Sequence, residues 1–316
     1  MPPPDRGIRV VSRSSSVLGE SPVWHAPSGS LLWVDITGRR LHCLYPDSGK
    51  ERNWSLPEEP GCIGLVAGDG GPIPGKVVMA LRSGFHLFDL ARQALIRLSP
   101  PLFDTTRYRF NDGGVDPAGR FWAGSLFEPK SQASAGLYRL ERGRAQAVTG
   151  PDATASPWRE WGVRTSNGLA FSPDGRTLYH SDTPAHVVYT YDYDLGSGRI
   201  DNRRIWWQAD SDRASPDYGG RPDGAAVDAD GCYWTAQYEG GRILQLSPQG
   251  RILQVRAVPA LCPTMVAFGG TDLKTLFVTS AREGRSEAEL AQFPDSGHVF
   301  AMAVDVPGLP ANAYLE

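Results

Sequence analysis

The sequence predicts an all-β protein, a six-bladed β-propeller with four-stranded blades, forming one domain over residues 1–316. Three observations lead there. Apolar residues come in short runs rich in Val, Leu, Trp, Tyr and Phe, with little helical periodicity, which is the pattern of strands. These runs are punctuated by turn signals, among them Pro27-Ser28-Gly29, Pro117-Ala118-Gly119, Pro173-Asp174-Gly175 and Ala229-Asp230-Gly231. In such turns proline presets φ, Asp bonds its own backbone and glycine accepts positive φ. Finally, the chain repeats itself: Asn111-Asp-Gly-Gly-Val-Asp-Pro-Ala-Gly-Arg-Phe-Trp-Ala aligns with the segment from Asn167 and again with the segment from Asp223, 56 residues apart each time.

In chain order, the first repeat begins at Glu20 (Glu-Ser-Pro-Val-Trp, then Leu31-Leu-Trp-Val-Asp35), and the weakest copy follows at Cys62. The three clear copies start at Asn111, Asn167 and Asp223, and a sixth starts at Thr264. Each start leads into a strand, a turn, a second strand and usually a third and fourth, as in Leu137 to Val148. Four strands in units of about 40–55 residues are the signature of propeller blades. The Gly150–Pro157 stretch reads as a long loop between blades rather than a linker. In the 281–297 insertion, Ser286 and Glu289 have the spacing of a capping box, which predicts a short helix there.

A formal net charge of -3, with both signs dispersed, gives no footprint for nucleic acid or anionic lipid. No segment approaches the ~20 apolar residues that span a bilayer, and Met1 to Arg6 lacks a signal-peptide core, so a cytoplasmic protein without a membrane partner is expected. Cys43, Cys62, Cys232 and Cys262 are far apart, with no zinc or redox spacing, and read as buried thiols. The six histidines show no ligand spacing, and no Gly-x-Ser-x-Gly elbow is present. Trp24, Trp33, Trp122 and Trp234 read as core, Trp158 and Trp161 as candidates to line a pocket, and Asp182 as structural.

Innermost propeller strands converge on one axis, so a fixed repeat position becomes a ring, here Glu20, Cys62, Asn111, Asn167, Asp223 and Thr264. Asn and Asp before glycine are common turn residues. The register shared with Glu20, which is not a turn former, is what favours a site. Glu, Asn, Asn and Asp offer hard oxygen donors suited to Ca²⁺, Mg²⁺ or Mn²⁺ and able to accept Zn²⁺ or Fe²⁺. One divalent metal cation on the axis is therefore expected.

The segments Leu18-Gly-Glu20-Ser-Pro-Val-Trp, Arg109-Phe-Asn111-Asp-Gly-Gly-Val-Asp, Ser166-Asn167-Gly-Leu-Ala-Phe and Pro222-Asp223-Gly-Ala-Ala-Val-Asp together resemble the family of senescence marker protein (regucalcin), gluconolactonase and luciferin-regenerating enzyme. The resemblance covers nearly the whole chain. It implies a metal-dependent hydrolase that opens sugar (aldono) lactones, with Ca²⁺ the first candidate metal. It further implies that Glu20, Asn167 and Asp223 are metal ligands, that Asn111 is a further ligand or reaches substrate through water, and that Arg109 and Glu128 bind substrate. Asp223 is the expected proton acceptor in metal-assisted ester hydrolysis, unless the metal itself activates the water. Ser21, and Ser125-Leu126-Phe127, depart from the family's commoner residues, which bears on the substrate more than on the metal. The alternatives are hydrolysis of another ester such as an organophosphate, or a non-catalytic calcium-binding or interaction propeller; oligomeric state is not written in the sequence.

Overall fold

The predicted strand runs pair as antiparallel meanders, and six such sheets form the blades of a β-propeller. A computed structural model of the chain describes residues 7–68, 71, 74–154 and 156–316. The Met1 to Arg6 stretch, expected to carry no targeting signal, lies outside the described residues, as does Ala155 of the loop before blade 4. No helix among the described residues is long and apolar enough to cross a membrane.

The innermost strands are Gly19–His25, Pro60–Val66, Tyr108–Val115, Ser166–Phe171, Arg221–Val227 and Cys262–Gly269, one for each predicted repeat start. Blade 6 departs from simple sequence order. Its outermost strand is Arg9–Val10, paired antiparallel with Phe300–Ala303, so the amino-terminal segment closes the ring. At the other end of the chain, Ala313–Tyr314 runs parallel to the inner strand of blade 2 as a fifth strand.

Because side chains alternate along a strand, each blade presents one face to each neighbour. In blade 1, Leu32 and Val34 pack toward Ile63 and Met79 of blade 2, while Leu31 and Trp33 pack toward Phe277 of blade 6. Trp122 meets Leu178 and Tyr191 of blade 4, and Trp234 meets Phe268 of blade 6. Both faces of a second strand are thus buried, which explains the nearly continuous apolar runs. Truncating one of these buried tryptophans would cost about 3–5 kcal/mol.

Two sets of aspartates lock the repeat. Asp116 accepts from the backbone N–H of Ala118 and Arg120 and from Trp122 Nε1, at 2.9 Å each. Asp228 does the same for Asp230, Cys232 and Trp234 Nε1 at 3.0, 2.8 and 2.8 Å. Each ties a hairpin turn to the tryptophan of the strand that follows. At the other end of the blades, Asp35 accepts from Val17 and Leu18 N–H, and Asp182 from Arg164 and Thr165 N–H. These clamps fix the chain just before Glu20 and Asn167.

The short helix is present at Glu287–Gln292, with both reciprocal bonds of the Ser286/Glu289 capping box. Trp158 and Trp161 line neither of the two polar cavities described below. Trp158 donates to Ile200 O and Trp161 packs on Tyr191, so both seal the outer interface of blades 3 and 4.

Candidate functional site

Every innermost strand carries a β-bulge at nearly the same place: Glu20/Val23, Pro60/Cys62, Phe110/Gly113, Asn167/Ala170, Pro222/Ala225 and Pro263/Val266. A bulge breaks the alternation and re-aims a side chain. Here it lets polar residues leave the blade interface for the axis.

Four of the six predicted ring residues share one cavity of about 240 Å³ at the ring's top: Glu20, Asn111, Asn167 and Asp223, with Arg109 beside them. Cys62 and Thr264 are fully buried and do not line it. The Thr264 hydroxyl instead bonds Gly19 O and Thr279. Sequence register placed all six near the axis, but side-chain direction admits four to the chamber.

The amide pair is fixed by hydrogen bonds. Asn111 Nδ2 donates to Asn167 Oδ1 at 2.6 Å and to Ser166 O at 3.0 Å, while its Oδ1 accepts from Arg109 Nη1 at 2.8 Å. Asn167 Nδ2 donates to Thr183 Oγ1, which in turn donates to Pro222 O beside Asp223. Blades 3, 4 and 5 are thereby tied together at the chamber floor, and Asn111 also orients Arg109.

Glu20 and Asp223 are buried, and neither has a lysine or arginine within ion-pair distance among the described residues. Burial pushes both carboxyls well above the usual range, and Asp112 pushes both further. Asp112 sits behind them, 3% exposed, accepting from Gly113 N–H at 2.7 Å and Leu169 N–H at 2.9 Å. Burial raises its own carboxyl to about 7. The sequence had a signal for it, since the other two clear repeats have glycine at that position, Gly168 and Gly224.

The chamber opens into a trough of about 310 Å³ that shares Arg109, Leu126, Lys130 and Glu283 with it. Glu128 lies in this trough, gripped by Arg82 through 2.7 and 3.1 Å hydrogen bonds, and Arg82 also reaches Glu59 at 3.1 Å. Arg82 holds the Glu128 carboxyl below the usual glutamate range. On the opposite wall, Glu239 is shared by Arg213, Arg221 and Arg285. Sequence reasoning missed Arg82, Glu59 and Glu239, which meet their partners only through the fold, and Lys130 and Glu283, which no motif marks.

A larger cavity, about 440 Å³, lies at the other mouth, lined by Trp24, Val115, Phe171, Phe268 and the Leu309–Asn312 segment. None of its lining residues is titratable. The titratable side chains line the polar chamber instead.

The family model described as "SMP-30/Gluconolactonase/LRE-like region" matches residues 18–282. The chain is 47% identical over 302 residues to the 6-deoxy-6-sulfogluconolactonase of Pseudomonas putida, with 95% of this chain and 96% of that protein covered. It is 34% identical to the regucalcin of Oryctolagus cuniculus, covering 94% of each chain. Among solved structures, a calcium-binding protein, regucalcin, from Agrobacterium tumefaciens superposes with a TM-score of 0.87 at 25% identity, covering 98% of each chain.

Proposed function

The chain belongs to the SMP-30/gluconolactonase/LRE-like family, and from that premise we propose that it hydrolyses a sugar lactone in the axial chamber with the help of one divalent cation. One observation carries this reading: Glu20, Asn111, Asn167, Asp223 and Arg109 converge on a single cavity that opens toward Glu128. The relatives named above, a sulfogluconolactonase and regucalcins, support the same reading.

The donor set fits a cation. Two buried carboxylates without a cationic partner, raised by burial and by Asp112, form an electrostatic debt that a divalent ion would cancel. The donors are all oxygen, which favours Ca²⁺, with Mg²⁺, Mn²⁺, Zn²⁺ and Fe²⁺ as competitors. Glu20, Asn167 and Asp223 would hold it, with Asn111 a further ligand or a water-mediated neighbour; when bound, it supplies Lewis-acid polarisation of the lactone carbonyl.

The other steps belong to side chains. Arg109, oriented by Asn111 Oδ1 and Phe110 O, keeps donors free for a substrate oxygen. Glu128, kept ionised by Arg82, accepts hydrogen bonds from sugar hydroxyls. A water oxygen adds to the carbonyl carbon, the ring carbon–oxygen bond breaks, and the former ring oxygen leaves as a hydroxyl on an open-chain acid. Asp223 is assigned to take the water's proton and return it to that leaving oxygen. The four cysteines are free and buried, which supports a reducing, cytoplasmic setting.

The test is a panel of sugar lactones assayed with metal-free protein reconstituted with Ca²⁺, Mn²⁺, Zn²⁺ or Fe²⁺, with Asp223→Ala as control. The expected result is metal-restored turnover that the variant lacks. Turnover without metal, or an unimpaired Asp223→Ala protein, would overturn the metal-assisted mechanism; no turnover on any lactone would overturn the activity.

A further inference from the structure

An asparagine can serve a cation only through its amide oxygen, so the direction in which the amide of Asn167 points matters as much as its position. A hydrogen-bond chain across blades 3, 4 and 5 sets that direction. Arg109 Nη1 donates to Asn111 Oδ1 at 2.8 Å, and Asn111 Nδ2 donates to Asn167 Oδ1 at 2.6 Å. Asn167 Nδ2 donates to Thr183 Oγ1 at 2.7 Å, and the Thr183 hydroxyl donates to Pro222 O at 2.8 Å. The ends of the chain give it one sense. A guanidinium only donates and a backbone carbonyl only accepts, so turning either amide over would set donor against donor. Each amide oxygen receives one hydrogen bond along the chain and keeps a second lone pair.

The two amides are not equally secured. Asn111 also donates to Ser166 O at 3.0 Å, so both of its ends are held from outside the amide pair. For Asn167 the nitrogen end rests on Thr183. That residue is itself firmly placed: it is buried, lines the chamber, and directly follows Asp182, whose carboxylate accepts from Arg164 and Thr165 N–H. It opens the short 3-10 turn Thr183–Ala185, which His186, left-handed at φ 59, closes by donating its N–H to Thr183 O at 3.1 Å. Branching at Cβ further restricts its side chain. The single hydroxyl hydrogen goes to the carbonyl of Pro222, the residue before Asp223, so one side chain braces Asn167 and the backbone that carries Asp223.

We propose that Thr183 is a positioning residue of the cation site, its hydroxyl holding Asn167 with the amide oxygen turned away from Thr183 and available to a divalent ion. The proposal rests on the metal reading of the chamber and deepens it. Without the hydroxyl, Asn167 Nδ2 loses its acceptor in a buried place, and nothing at that end opposes rotation of the amide. Rotation would put hydrogens where the oxygen stood. Groups that orient metal ligands from behind are typically worth 10–100-fold in metal affinity, roughly the effect expected here.

The experiment titrates divalent cations, Ca²⁺ first, into metal-free wild type, Thr183→Val and Thr183→Ser by calorimetry, with urea unfolding of the same samples to measure the fold. Valine keeps the branched shape without the hydroxyl; serine keeps the hydroxyl without the methyl. Thr183→Val is expected to raise Kd about 10–100-fold, and Thr183→Ser to return most of the affinity. If Thr183→Val does not fold, Thr183→Cys replaces it, and its thiol, a weaker partner, should still weaken binding severalfold. Wild-type affinity in a folded Val or Cys variant, whatever its stability, overturns the proposal, as do equal losses in the Val and Ser variants; the lactonase reading then stands. A wild type that binds no divalent cation overturns the proposal and the metal reading together. Normal cation binding without turnover of any lactone overturns the activity alone.

Discussion

Arg82 grips Glu128 across blades 2 and 3 through two parallel hydrogen bonds, Nη2 to Oε1 at 2.7 Å and Nη1 to Oε2 at 3.1 Å. The pair sits at the trough, whose lining also includes Glu59 and Glu283. Removing the arginine releases the carboxylate rather than deleting it. Arg82→Met should therefore raise KM for a sugar lactone by about tenfold, the worth of one charge-assisted hydrogen bond, with kcat little changed. The glutamate's folded value is depressed mainly by Arg82, so its loss should move the acid limb of kcat/KM to higher pH. An unchanged KM and acid limb would show that Glu128 does not meet substrate.

The carboxylate chamber should respond to metal without any substrate present. Adding Ca²⁺ to metal-free protein should raise the melting temperature, with stabilisation of about 2.7 kcal/mol at a hundredfold excess over Kd. Asp223→Ala should flatten that response. A wild-type melting curve indifferent to all divalent cations would refute the assignment of Glu20, Asn167 and Asp223.

His42 should make the fold acid-sensitive. It is 3% exposed, stacks on Trp33 at 4.7 Å and has no hydrogen-bond partner for either ring nitrogen among the described residues, and burial lowers its pKa to about 4. A folded value below the unfolded one means that the unfolded chain binds the proton first. Stability is then lost as pH falls from about 6.5, the unfolded value, toward the folded value. His42→Phe keeps the stack and should remove this slope, gaining roughly 2 kcal/mol at pH 5 relative to wild type and less at pH 8. Denaturant midpoints across that range decide it.

Asp116 should be worth far more to stability than Asp174, although both belong to hairpin turns. Asp116 is fully buried and serves two backbone N–H groups, Trp122 Nε1, Tyr193 OH and Arg120. Asp116→Ala strands all of them and should cost about 3–5 kcal/mol in urea unfolding. Asp174 bonds Ser172 and Arg176 N–H at the surface, and Asp174→Ala should stay within about 1 kcal/mol.

The repeat made the fold legible, because turn chemistry and strand alternation are local and recur at a fixed spacing. It also located Glu20, Asn111, Asn167 and Asp223, since residues in register across blades must meet at the axis. The ring idea failed where direction mattered. Cys62 and Thr264 hold the register, yet turn into the blades, one against Gly113 and the other onto Thr279. Arg82, Glu59 and Glu239 were invisible because each gains its role from partners in other blades or loops, and nothing in the neighbouring sequence marks them. Lys130 carries no motif, and only the pairing of Arg109 with Leu126 brings its turn to the chamber. The outer strand of blade 6 was missed because it lies at the far end of the chain.

That last arrangement imposes an order on biosynthesis. Ser12 Oγ meets the backbone of Val299, 287 residues downstream, and Arg9 and Val10 pair with Ala301 and Phe300. A strand near the start of the described residues is thus completed by one near their end. Blades 1 to 5 can stack as they emerge, each next to its predecessor, but the ring stays an open crescent with two raw edges until the sixth blade is translated. A nascent chain halted before Phe300 cannot seal, and its exposed blade edges are the surfaces a chaperone must cover.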